Sequence, residues 1–180
     1  PEGAAPLPRE SWRAQLEVTT PLTPRLRVEH PEEAAGTVVD LPGLGRGVAE
    51  SALGALRLAA ALQMPLREAA ARLSAAELEP GRLTVRRGNG FLLLDDSYNA
   101  NPASMEQALE VLRSAPGPRT AILGEMRELA TEANAHHEAL GRATRGLERV
   151  LFCGPSGAAV RAGNDQVELV PEPELVARLA

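Results

Sequence analysis

The sequence predicts an α/β chain, with a Rossmann-like, mostly parallel sheet in its C-terminal part and the end of another α/β domain before it. Three observations carry this. From residue 80 onward short apolar runs (Phe91-Leu92-Leu93-Leu94, Thr120-Ala121-Ile122-Leu123, Arg149-Val150-Leu151-Phe152 and Gln166-Val167-Glu168-Leu169-Val170) alternate with helical patterns, the order that builds βαβ units. The first run stops abruptly at Asp95-Asp96 and a polar loop closed by Asn101-Pro102, as a buried strand does where it reaches a surface crevice. At the N-terminal end prolines are dense (Pro1, Pro6, Pro8, Pro21, Pro24, Pro31), which restricts that segment to edge strands and loops.

Taken in order, the front segment holds short extended runs, Leu16-Glu17-Val18-Thr19 and Leu26-Arg27-Val28, with no evident core of its own. It reads as the tail of a domain that begins elsewhere. Trp12 suits a core anchor or a partner contact. Thr37-Val38-Val39-Asp40-Leu41 predicts a short strand, followed by the turn Pro42-Gly43-Leu44-Gly45-Arg46-Gly47. A glycine cluster before a helix can cradle a phosphate, but this spacing fits neither the dinucleotide fingerprint nor a P-loop, and a flexible turn accounts for it. Helices are expected over 48–62, with Leu53 and Leu56 on one face, and over 66–75, with Leu66, Ala69, Ala70 and Leu73 together. Residues 84–86 and 91–94 predict a hairpin across Arg87-Gly88-Asn89-Gly90.

After the acidic pair, Met105, Ala108, Leu109 and Leu112 fall at i, i+3, i+4 and i+7, an amphipathic helix that Asn101 can cap with Pro102 in the first position. Beyond the strand at 120–123, the stripe Leu129, Ala133, His136, Leu140, Ala143 and Leu147 points His136 inward, as a core or capping group, and leaves His137 beside the stripe. The strand at 149–152 leads to Cys153, a small buried filler, and to Gly154-Pro155-Ser156-Gly157, an anion-binding loop or a plain turn. Helices over 156–162 and 172–179 complete the chain.

Composition narrows the function classes. The net charge is −5 and aromatics make up 2%, which disfavours a phosphate-tracking or base-stacking nucleic-acid surface. No apolar run approaches the length of a bilayer span, and there is no signal-peptide pattern, so a cytoplasmic setting is expected. The single cysteine excludes an internal disulfide and a Cys-based zinc site. The chain contains no lysine, and therefore no G-x-x-x-x-G-K-[ST] phosphate loop.

Asp95-Asp96-Ser97-Tyr98-Asn99-Ala100-Asn101-Pro102, with Ser104-Met105 behind it, resembles the signature opening the C-terminal domain of the Mur ligases, in the branch that adds D-alanyl-D-alanine to UDP-N-acetylmuramoyl-tripeptide. Glu79-Pro80-Gly81-Arg82-Leu83 resembles the family's Gly-Arg-Leu word. Gly124-Glu125-Met126-Arg127-Glu128-Leu129, with His137 twelve residues after Glu125, resembles Gly-Asp-Met-x-Glu-Leu with its spaced histidine. Gly45 to Ala55 departs from the pattern: Gly47-Val48 stand where the family has His-Asn, and Ser51 where it has the asparagine that helps hold adenine. A serine lacks the paired donor and acceptor of an amide.

The resemblance implies that residues 1–79 end a central ATP-binding domain and that 80–180 form the C-terminal Rossmann-like domain. It implies Arg82 on nucleotide phosphates, Asp96 on the ribose, Ser51 near adenine, and Tyr98, Asn99, Asn101 and His137 as candidates for the pocket of the incoming D-alanyl-D-alanine. A magnesium site on Asp95 and Asp96 is the other reading of the acidic pair, although such sites borrow substrate phosphates more than protein ligands. The implied activity is ATP-driven amide formation in peptidoglycan precursor synthesis, with ATP and Mg²⁺. The P-loop and most metal ligands would come from the N-terminal and central domains of the same ligase, so no catalytic residue is expected in this chain, and it is expected to be inactive alone. Two other classes carry the same residues: a small nucleotide-binding or regulatory module, and a catalytically dead relative of the ligase.

Overall fold

The computed structural model describes residues 12–19, 22–30, 33–88 and 90–179, in two compact units, Pro1–Asp96 and Ser97–Ala180. Pro1, Pro6, Pro8, Pro21, Pro31 and Asn89 lie outside the described residues.

In the first unit, β1 (Arg13–Thr19), β2 (Thr23–His30) and β3 (Glu33–Asp40) form an antiparallel sheet in that order. Period-two alternation along β2 buries Leu26 and Val28 and exposes Arg25, Arg27 and Glu29. On the exposed face Arg25 meets Asp40 at 2.7 Å and Arg27 meets Glu17 at 2.9 Å. These are cross-strand pairs of the kind that contribute only tenths of a kcal/mol, up to about 1. The buried face, with Trp12 and Val39, packs with α1 (Arg46–Ala61) and α2 (Leu66–Ser74) through Ala49, Ala52, Leu56, Leu66, Ala69 and Ala70. The front segment has no core of its own and shares that of α1 and α2, but Leu26-Arg27-Val28 lies in the central strand rather than on an edge, contrary to the sequence expectation: Pro24 stands near the start of β2, where its carbonyl accepts the Leu41 N–H at 3.0 Å, and the sheet tolerates it there. Trp12 is a core anchor, 7% exposed, with the Arg57 guanidinium 5.9 Å from its ring centre.

The glycine-rich turn is explained by packing. Gly45 takes φ 89° at the start of α1, a conformation that glycine adopts without steric cost. A Cβ on Gly43 would stand 2.2 Å from Leu78 Cδ1.

The hairpin forms as expected, β4 (Thr84–Arg87) against β5 (Leu92–Asp95), closed by Gly88 N–H to Phe91 carbonyl at 3.0 Å. Its burial does not follow expectation. Phe91 is 62% exposed and Leu93 44%, because among the described residues β5 pairs only with β4, and a two-stranded ribbon leaves much of its surface uncovered.

The second unit carries the parallel sheet: β6 (Thr120–Gly124), β7 (Arg149–Cys153) and β8 (Glu168–Leu169), in sequence order. β7 is central, so Val150, Leu151 and Phe152 are buried in succession, whereas β6 alternates, with Ala121 and Leu123 inside and Ile122 42% exposed. β6 is therefore half-buried rather than wholly buried, and β8 is shorter than the predicted 166–170. The core joins these strands to Met105 and Leu109 of α3 (Pro102–Ser114), Leu140 of α4 (Ala133–Ala143) and Val160 of α5 (Gly157–Gly163); α6 (Leu175–Leu179) ends the chain. Helices α4 and α5 touch backbone to backbone. A Cβ on Gly141 would lie 2.0 Å from the Val160 carbonyl oxygen, and one on Gly163 2.1 Å from that of Glu138. Beside this seam, buried Thr144 accepts from Asn164 Nδ2 at 3.0 Å and donates to the Gly141 carbonyl at 2.7 Å, so both side chains are satisfied.

Candidate functional site

The polar residues flagged by sequence fall at four places: α1, the turn before β4 with the end of β5, the start of α3, and α4.

In the turn before β4, Gly81 and Leu83 are buried and both take positive φ, 77° and 50°, while Arg82 between them is exposed. A leucine in this region is strained. Asp96 holds it there: its Oδ1 accepts the Leu83 N–H at 2.9 Å. Partial burial raises the Asp96 pKa; the Leu83 N–H opposes that, Asp95 adds to it, and Arg82 counters it. Arg82 is thus close enough to Asp96 for its charge to be felt. An exposed guanidinium on a rigid turn suits phosphate oxygens. A carboxylate with one oxygen already engaged can still accept from a hydroxyl.

Asp95, its neighbour, pairs with Arg86 across the hairpin at 3.0 Å. It orients the ribbon rather than standing solvated. Among the described residues no group of three His, Cys, Asp or Glu side chains is arranged to hold a metal ion. Ser51 lies on the exposed side of α1, between buried Ala49 and Ala52.

At the start of α3, Asn101 makes a capping box with Ser104: Asn101 Oδ1 accepts the Ser104 N–H at 3.0 Å, and Ser104 Oγ accepts the Asn101 N–H at 3.2 Å. Asn99 Oδ1 lies 2.9 Å from the Ala100 N–H. Both asparagines therefore serve turn and cap, as their types favour. Tyr98 is 60% exposed. The Ser104 half of the box had a sequence signal, since it stands three residues after the cap.

In α4, beyond the loop that follows β6, the histidines exchange the places predicted for them. His137 is fully buried, and His136 lies outside, 3.5 Å from Glu132. The residues 130–132 form a 3-10 turn and α4 begins only at Ala133, so Leu129 does not share the helical phase that the stripe assumed. The inward face is His137, Leu140, Gly141 and Thr144. His137 Nε2 accepts the Met126 N–H at 3.1 Å and Nδ1 meets the Ala133 carbonyl at 2.8 Å, which places the ring proton on Nδ1. A contact that sequence reasoning did not foresee lies alongside. Glu125 reaches Ser156, binding its N–H at 3.1 Å and its hydroxyl at 2.5 Å. The loop at 154–157 is a turn tied to the chain's own Glu125.

Residues 81–179, more than half of the chain, match the family described as Mur ligase, glutamate ligase domain. Over 123 residues the chain is 39% identical to the UDP-N-acetylmuramoyl-tripeptide--D-alanyl-D-alanine ligase of Escherichia coli K12, covering 67% of this chain and 27% of that protein. Over 81 residues it is 41% identical to the Mycobacterium bovis ligase of the same description, covering 41% and 16%. The fold is similar to MurF from Acinetobacter baumannii, with TM-score 0.82, 26% identity and coverage of 94% of this chain and 38% of that one. MurF from Thermotoga maritima, solved in complex with ADP, has TM-score 0.79 at 23% identity, over 93% and 39%. The chain thus spans 27% of the Escherichia coli relative's length.

Proposed function

Because this chain belongs to the Mur ligase family, we propose that it forms the nucleotide- and dipeptide-facing part of an ATP-dependent ligase that joins D-alanyl-D-alanine to UDP-N-acetylmuramoyl-tripeptide in the cytoplasm. The observation that carries the reading is the turn before β4: exposed Arg82 on a turn latched by Asp96, within the stretch matched by that family. Residues 1–79 would end the central ATP-binding domain and 80–180 would form the C-terminal domain. Both substrates, and the remaining domains of the ligase, are its partners.

In this reading the tripeptide carboxylate attacks the γ-phosphorus of ATP, ADP leaves, and an acyl phosphate forms. The amine of D-alanyl-D-alanine then attacks the acyl carbon, inorganic phosphate leaves, and the amine gives up a proton. Arg82 binds nucleotide phosphate as a charged fork. Asp96 accepts from the ribose diol while keeping Leu83 in place. Ser51 offers one hydrogen bond near the adenine. Tyr98, Asn99 and Asn101 form the rim towards the dipeptide, the asparagines chiefly by shaping the loop. Mg²⁺ would neutralise the transferring phosphoryl group. Asp95 is committed to Arg86, so its ligands belong to other domains. Among the described residues no helix is long and apolar enough to cross a membrane.

The test is phosphate release by the native full-length polypeptide, with the 180-residue chain run alongside. Release that needs both the tripeptide nucleotide and D-alanyl-D-alanine, and that is absent from the 180-residue chain, supports the reading. Arg82→Ala should raise KM for ATP about tenfold, the factor that corresponds to losing one charge-assisted hydrogen bond. A full-length polypeptide that binds ADP but releases no phosphate with both substrates present would replace it with the non-catalytic nucleotide-binding module.

A further inference from the structure

Gly124 and Cys153 are paired in register at the carboxyl ends of β6 and β7, the edge of an open parallel sheet where ligands bind. Glu125 bridges the two loops that leave this edge. Its Oε2 accepts the Ser156 N–H at 3.1 Å and its Oε1 the Ser156 hydroxyl at 2.5 Å. Gly154 makes room for it: a Cβ there would stand 2.6 Å from Glu125 Oε2 and 3.1 Å from Glu125 Cβ. From the core side, His137 holds the next residue through the Met126 N–H, and its Nε2 lies 3.5 Å from Glu125 Oε1. Just downstream, Glu128 and Ala130 take φ of 63° and 47°. Such strain persists only where the surroundings over-determine it, and it clusters at functional sites.

We propose that Glu125 and His137 are positioning residues that lock the loops 124–130 and 153–156 into one rigid edge against which the incoming dipeptide is bound, acting through Ser156 and Met126. This rests on the ligase reading above and changes the part of His137 in it. Buried, with both ring nitrogens engaged, His137 reaches the dipeptide only through the loop it holds. Glu125 supplies geometry: each carboxylate oxygen is used on Ser156, so the two loops move together or not at all.

The experiment uses the full-length ligase with Ser156→Ala, Ser156→Thr and Glu125→Gln. Ser156→Ala removes the hydroxyl donor, and Glu125→Gln replaces one of the two accepting carboxylate oxygens by an NH₂ group and removes the charge. Each should raise KM for D-alanyl-D-alanine about tenfold, the factor that corresponds to one hydrogen bond to a charged group, with KM for ATP and kcat within about twofold. Ser156→Thr restores the hydroxyl and should restore KM. Amide exchange in 126–130 and 154–157 should quicken together in Ser156→Ala. An unchanged dipeptide KM in Ser156→Ala, or an equal rise for ATP, overturns the proposal. Should Glu125→Gln fail to fold, Ser156→Ala carries the test, since its hydroxyl is only part-buried. If the wild-type enzyme shows no dipeptide-dependent turnover, the ligase reading falls by itself, and exchange then decides the clamp: loops that respond independently overturn it.

Discussion

The carboxylate of Asp96, at the end of β5, accepts the backbone N–H of Leu83 at 2.9 Å, holding a leucine with φ 50° beside exposed Arg82. One side chain therefore shapes the turn that presents another. Asp96→Ala should destabilise the chain by about 2 kcal/mol, because Leu83 is buried and its N–H would lose its acceptor. Asp96→Asn keeps an acceptor and removes the burial penalty on charge. The sign follows from the raised pKa: the folded state takes up this proton more readily than the unfolded chain. The wild type thus gains relative stability as pH falls below the raised value and loses it as pH rises through it. Asp96→Asn should match or exceed wild-type stability at neutral pH in urea titrations, with its advantage disappearing in acid.

His137→Ala should cost about 3 kcal/mol, combining a cavity in the core with an orphaned Met126 N–H. His136→Ala should change stability by less than about 0.5 kcal/mol, as expected at a partly exposed surface site outside the core. Equal effects in thermal melts would contradict the assignment of His137 to the core.

The seam between α4 and α5 admits no side chain. Gly141→Ala would drive a methyl group to 2.0 Å from the Val160 carbonyl oxygen, so the helices must separate. A loss of about 3 kcal/mol is expected, despite alanine's better helix propensity. A variant more stable than wild type in chemical denaturation would show that the helices separate freely.

Hydrogen bonds from Arg119, side chain first and then backbone, hold the Glu148 carboxyl down to about 2, below its usual 4.5. A depressed carboxylate contributes stability above its unfolded pKa and loses it as pH falls through the folded value. Acid unfolding of the wild type should therefore steepen between pH 4.5 and about 2, and Glu148→Gln should flatten that limb in a pH series of melting temperatures. Parallel curves for the two proteins would remove Glu148 from the acid response.

What the sequence by itself determined is what is local in the chain. Asn101-Pro102 with Ser104 dictates where α3 begins, because cap, first-turn proline and returning hydroxyl lie within four consecutive residues. The apolar run Val150-Leu151-Phe152 was legible as a strand, while its central place, covered on both faces, comes from the sheet order. The hairpin at 84–95 was likewise legible from its turn and flanking strands, and so was the existence of helices α1 and α2. The family words at Arg82 and Asp95 to Met105 mark the candidate site, though the roles of Ser51, Arg82, Asp96, Tyr98, Asn99 and Asn101 stand as proposals. Tertiary structure decided what depends on phase and distance. A 3-10 turn before Ala133 shifted the helical face by one residue and sent His137 rather than His136 inward. Glu125 met Ser156, thirty-one residues away, only because β6 and β7 end side by side. Periodicity could not foresee that β5 would leave Phe91 and Leu93 exposed, because burial depends on which partners cover a strand, whereas a residue pattern records only which side chains would favour being covered.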